Sequence, residues 1–182
     1  MVVNFKKNGK FSNFLNDLLR TNGMNEEQIN NIVKEIITKQ GDQLGNLFDR
    51  QKMQRVFDAA VAKANELNVG VTMCIMDAAT VVQMLYHMPN ANLVSSELAP
   101  KKAWSAIAMK EPTKDISKDI QPGAPLYQME TMLNGKLVSF PGGIPLEIGG
   151  KIVGAIGISG GLVEEDQAIC EAAVEEFMKE SK

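Results

Sequence analysis

Residues 140–173 hold eight of the chain's 15 glycines, and their spacing dictates backbone geometry before any other feature does. Glycine goes where the backbone needs positive φ or where another group must come close. Gly142-Gly143 precede a short apolar run, residues 144–148, and Gly149-Gly150 separate that run from a second one, Lys151–Ser159. A Gly-Gly pair between two apolar runs predicts a two-residue hairpin turn. Gly154, Ala155 and Gly157 leave the second strand flat, so a helix is expected to pack closely on it. Gly160-Gly161 then open a helix from Leu162 or Val163, with Ile169, Ala172, Ala173 and Phe177 at helical spacing.

A glycine loop at a helix start is also a phosphate-binding arrangement. The residues argue against that use. No Gly-Lys-Ser/Thr and no GxGxxG stands here. Glu164, Glu165 and Asp166 fill the first turn, where they complement the helix dipole and repel an anion.

The 182 residues suit one domain with an extension. The net charge of −3 and the lack of a basic run give nucleic-acid binding no support. Nothing reads as a membrane span or as the apolar core of a signal peptide, so a cytoplasmic address is expected. Cys74 and Cys170 each lie inside an apolar element and read as buried thiols. The 11 methionines, against one tryptophan and two tyrosines, are either adaptable core filler or the lining of a soft surface for a large apolar ligand.

Along the chain, Ser12 caps a helix carrying Phe14, Leu15, Leu18 and Leu19 that ends near Gly23. Asn25 and Gln28 form a capping-box-like start for a second helix, whose Ile29, Ile32, Val33, Ile36 and Ile37 share one stripe. Residues 1–45 are therefore expected to be a helical extension and residues 46–182 the domain. The domain begins with a helix over residues 49–67, then a strand over 71–76, a turn over 77–80 and a strand over 81–88. On that strand Val82, Met84, Tyr86 and Met88 form the expected core face, and His87 lies on the other. A helix follows over residues 99–110 with Pro100 near its first position. Thr113 caps a short helix to Ile120, residues 126–133 are helical, and residues 136–140 return to the sheet.

His87 is the only histidine. A multi-histidine zinc site is excluded, the cysteines supply no CxxC, and no G-x-S-x-G elbow supports a serine nucleophile. No pair of carboxylates stands out as an acid/base couple, so the chain leans away from enzymes.

The block FPGGIPLEIGGKIVGAIGISGG, followed by EEDQAICEAA, resembles the haem-degrading-domain family of GlcG, HbpS and the C-terminal domain of PduO. Residues 69–77, Lys101-Lys102-Ala103-Trp104-Ser105-Ala106, Pro112-Thr113 and Gln121-Pro122-Gly123 extend the match, nearest the PduO-type branch. The resemblance covers about residues 48–177. It implies an α/β (α+β) domain: a profilin-like antiparallel sheet of about five strands with helices on both faces, which forms homo-oligomers. It implies a haem- or corrinoid-binding accessory protein, linked to cobalamin-dependent diol or ethanolamine utilisation. The alternatives are a non-catalytic assembly protein with an N-terminal targeting helix, and an enzyme that degrades haem or acts on a small metabolite. The adenosyltransferase domain of full-length PduO has no counterpart in the residues. Two departures stand out: Asp77-Ala78-Ala79-Thr80 replaces Asp-x-Gly-Gly, and an arginine common on the next strand is missing.

Under this resemblance His87 is either a haem-iron ligand or a surface or interface histidine. Lys101 and Lys102 either pair with haem or cobalamin side groups or are two solvated lysines. The second helix resembles the encapsulation peptides of microcompartment enzymes; the alternative is a helix that packs on its own domain or on a neighbouring subunit.

Overall fold

The computed structural model describes residues 25, 27–28, 30–32, 34–35 and 47–179. The chain divides into two units, Met1–Asn46 and Leu47–Lys182. In the first, Asn25 N–H donates to Gln28 Oε1 and Gln28 N–H to Asn25 Oδ1, both at 2.9 Å, and residues 27–28, 30–32 and 34–35 are helical. That is the reciprocal capping box expected from the residue types. The helix expected from Ser12 lies outside the described residues.

The second unit opens with helix α1 (Arg50–Glu66). Asp49 caps it, Oδ1 accepting from Gln51 N at 2.8 Å and Lys52 N at 3.2 Å. Its buried stripe, Met53, Val56, Phe57, Ala60 and Ala64, follows helical spacing. Strands β1 (Thr72–Asp77) and β2 (Val82–His87) pair antiparallel. Helix α2 (Ser95–Met109) follows, then the short α3 (Thr113–Ile116) and α4 (Met129–Met132). Strands β3 (Gly143–Ile148) and β4 (Lys151–Ser159) form the glycine hairpin, and α5 (Val163–Lys179) closes the fold.

The sheet runs β2-β1-β4-β3, every pair antiparallel. Helices α1 and α5 cover one face over a core that includes Val56, Phe57, Met73, Ile75, Ile158 and Phe177. Helix α2 covers the other over a thinner layer of Cys74, Met76, Ala99, Ala103, Ala106 and Ala155. The layer is thin because α2 lies directly on β4: a Cβ on Gly157 would collide with Ala99 O and Ala103 N. The flat strand is therefore a helix seat.

Four expectations are corrected. The sheet has four strands among the described residues, not about five. Residues 136–140 do not join it, because Val138 N–H donates to the side chain of Ser105 at 2.8 Å rather than to a strand. Helix α2 starts at Ser95, four residues before the expected start, led in by a turn in which Asn92 Oδ1 accepts Ser95 N–H at 3.0 Å. Pro100 is thus inside the helix, and the lysine pair lies beyond its first turn. Finally, β2 is an edge strand with a register shift: Met84 pairs with Ile75 but Val82 with Met76. The shift takes Val82 off the Met84 face, and Val82, Leu85 and Tyr86 are all exposed.

Candidate functional site

One end of the sheet gathers the polar chemistry. Thr72, the first residue of β1, is paired with His87 at the end of β2 and with Ser159 at the end of β4. Directly paired residues share a face, and the α2 side is the one that Thr72 and His87 share. Thr72 Oγ1 stands 2.7 Å from His87 Nδ1 and 2.7 Å from Ser95 Oγ. Ser95 Oγ donates to Asn92 O at 2.5 Å, and Asn92 Nδ2 donates to Gly160 O at 3.0 Å. Thr72 and Ser95 are fully buried, while His87 is half-buried at the outer end of the chain of bonds. Its Nδ1 faces inward, so Nε2 is on the side of the ring away from Thr72.

Exposed apolar side chains flank the residues of this end. Leu85, two residues before His87 on the same face, is 44% exposed, and Leu93, next to Asn92, is 84% exposed. Leu162, two residues after Gly160, is also exposed. An uncovered apolar group beside one oriented imidazole suits a ligand that is mostly apolar with a single coordinating centre. Among the described residues no group of three or more His, Cys, Asp or Glu side chains could hold a metal ion.

The two lysines part company. Lys102 is not a surface cation. It is completely buried, with Nζ donating to Asp166 Oδ2 at 2.6 Å and to Ile158 O at 2.8 Å. Asp166 Oδ1 also accepts Gly161 N–H at 2.9 Å. Burial pushes the Lys102 ammonium down and the Asp166 carboxyl up, each toward its neutral form, and their mutual attraction opposes both shifts. The Lys102–Asp166 pair ties α2 to the glycine hairpin and the start of α5, and it has no exposed side to offer a ligand. Lys101 is half-buried. Its carbonyl accepts the Ser105 hydroxyl at 2.7 Å.

The first turn of α5 uses its acids locally. Glu165 Oε2 accepts Leu162 N–H at 2.7 Å and Asp166 takes Gly161 N–H. Those donors are engaged, which agrees with the exclusion of a phosphate loop.

Thr72, Asn92, Ser95 and Asp166 were not singled out as site residues from the sequence. Asn92 and Ser95 carry a readable signal, an Asn three residues before a helical residue. Thr72 carries none, because its role comes from strand register. Asp166 shows in the sequence only as a dipole partner, since its lysine is 64 residues away.

The model for the family described as "Haem degrading protein HbpS-like" matches residues 48–175. Corrinoid adenosyltransferase PduO of Citrobacter freundii is 48% identical over 124 residues, 68% of this chain and 37% of that protein. The protein of the same name from Salmonella typhimurium is 50% identical over 116 residues, 64% of this chain and 34% of that protein. The chain thus spans about a third of the length of these curated relatives. The crystal structure of a PduOC:Heme complex superposes with a TM-score of 0.69 at 45% identity, covering 70% of this chain and 93% of that one.

Proposed function

We propose a function from one premise: the chain belongs to the haem degrading protein HbpS-like family. It is a tetrapyrrole-binding accessory protein that takes haem or a corrinoid. The observation that carries this reading is the likeness to the PduOC:Heme complex, 45% identical and matched over 93% of that chain. The relatives named for corrinoid chemistry support the wider ligand class. The reading takes the tetrapyrrole from them and not the transfer reaction, because the chain spans about a third of their length.

His87 is the residue of this chain that would meet the metal, with the apolar surface of Leu85 and Leu93 against the ring system. When bound, haem or a corrinoid would supply a redox-active metal. Lys101 is left as the cation for an acidic side group of the ligand.

Under the same proposal the protein is a homo-oligomer of the cytoplasm or a microcompartment lumen, serving cobalamin-dependent diol or ethanolamine utilisation. The exposed edge strand β2, with Val82, Leu85 and Tyr86, favours self-association. Among the described residues no helix is long and apolar enough to cross a membrane.

The test is a difference-absorption titration of the purified full chain with haemin and, separately, with hydroxocobalamin. A saturable red-shifted Soret band, or a saturable change in the corrin bands, is expected. The absence of both overturns the reading.

A second reading concerns residues 1–45, which would form a helical extension that binds a partner. It is favoured by the Asn25–Gln28 capping box and by an exposed Ile32 on the helix that the box begins. Deleting residues 1–45 should then change the assembly's size in light scattering. An unchanged size removes the extension as an assembly device.

A further inference from the structure

The hydrogen bonds behind His87 have a direction that proton counting fixes. Asn92 O is a carbonyl and only accepts, so at 2.5 Å the Ser95 hydroxyl gives its one proton there. Ser95 Oγ must then accept at its 2.7 Å contact with Thr72, and Thr72 Oγ1 is the donor. Thr72 has no second proton. Its 2.7 Å contact with His87 Nδ1 is therefore made by the ring N–H.

The opposite tautomer would set a bare nitrogen lone pair against an oxygen with no proton left to offer. Thr72 and Ser95 are both fully buried, so solvent cannot relieve that clash. Asn92 is held as well: Oδ1 accepts Ser95 N–H at 3.0 Å and Nδ2 donates to Gly160 O at 3.0 Å. The relay is anchored at a backbone carbonyl at one end and opens at the imidazole at the other.

We propose that Thr72, Ser95 and Asn92 are positioning residues that hold His87 in its Nδ1–H tautomer. The neutral ring then presents a lone pair on Nε2 as the axial donor for the metal of the bound tetrapyrrole. This rests on the tetrapyrrole reading above and deepens it. An imidazole whose other nitrogen donates to a fixed oxygen is the usual form of a metal-ligating histidine, because it fixes both tautomer and ring angle.

Two measurements test the proposal. His87 is the only histidine, so a long-range proton–nitrogen correlation spectrum of the nitrogen-15-labelled full chain reads its tautomer without ambiguity. With the ring neutral, a protonated Nδ1 and a bare Nε2 are expected, and the reverse pattern overturns the proposal. Haemin titration of variants is the second measurement. Thr72→Val should weaken binding about 10- to 100-fold, as loss of an outer-shell partner does. Thr72→Ser should restore it, and Ser95→Ala, which leaves the ring's own neighbour in place, should act in the same direction as Thr72→Val. His87→Ala should abolish the nitrogen-ligated spectrum of bound haem. If the wild type binds haemin and His87→Ala leaves that spectrum unchanged, the axial role falls while the tetrapyrrole reading stands. If neither haemin nor hydroxocobalamin binds the wild type, both fall, whatever the tautomer.

Discussion

Thr80 sits at φ 63 in the turn between β1 and β2, in the left-handed region that a β-branched residue rarely adopts. The turn survives because Asp77 holds it. Asp77 Oδ1 accepts Ala79 N–H at 2.9 Å and Val81 N–H at 3.0 Å, and Oδ2 accepts from Gln83 Nε2 at 2.6 Å. The Asp77 carboxylate thus holds the turn without a glycine, at some cost in strain at Thr80. Thr80→Gly should raise stability by about 0.5–1 kcal/mol, after the extra freedom of the unfolded chain is subtracted. The urea midpoint should rise at unchanged m, whereas Thr80→Ala, which keeps a Cβ at positive φ, should give no comparable gain. A loss of stability in Thr80→Gly would show that the turn is not strained. The strain itself was partly legible, since Asp77-Ala78-Ala79-Thr80 lacks the expected glycines. The fate of Lys102 was not. Two adjacent lysines look alike in sequence, and only the fold reveals that one of them meets Asp166 across 64 residues in the interior.

Elements built on local signals were readable, and those fixed by distant partners were not. The glycine hairpin is the clearest case: Gly149 and Gly150 have φ 57 and 75, the two positive values of a type I′ turn. The close seat of α2 on β4 follows from Gly157 in the same way. On β2 and just past it, Met84 and Met88 keep the expected core face and Val82 leaves it, because the register shift is a property of the pair with β1, not of the strand alone. The start of α2 was misplaced because Pro100 is the loudest local signal and Asn92 the correct one. The hairpin glycines separate by role. Gly157→Ala drives a Cβ into the backbone of α2, which has no rotamer to yield, and should cost about 3 kcal/mol, the upper end of the usual range for overpacking. At Gly149 a Cβ meets open space, so Gly149→Asn, which tolerates the left-handed region, should stay within about 0.5 kcal/mol. Chemical denaturation of both variants checks the contrast; equal losses would mean that the turn, not the helix seat, limits the hairpin.

The unit Leu47–Lys182 is two unequal layers on one sheet, and each layer hides a thiol. Cys74 lies in the thin alanine layer under α2, and Cys170 in the larger core beneath α1 and α5. Burial pushes the Cys74 thiol from 9.0 up to about 12, and it pushes Cys170 up as well. Both groups therefore ionise in the unfolded chain before they do in the folded one. Each leaves stability untouched below pH 9 and removes it as pH rises above that value, Cys74 until about 12. Each pH unit within that window costs about 1.4 kcal/mol per thiol. Urea unfolding between pH 8 and 10.5 should show a decline that steepens above pH 9, with free thiols silent to an alkylating reagent until the chain unfolds. Cys74→Ala and Cys170→Ala should each reduce the alkaline slope by about 1.4 kcal/mol per pH unit. The cavity that each leaves lowers stability at every pH without altering the slope. Because the two thiols sit on opposite faces of the sheet, the two reductions should add if both layers open in one transition. A slope that responds to only one of the substitutions would show instead that one layer opens ahead of the other.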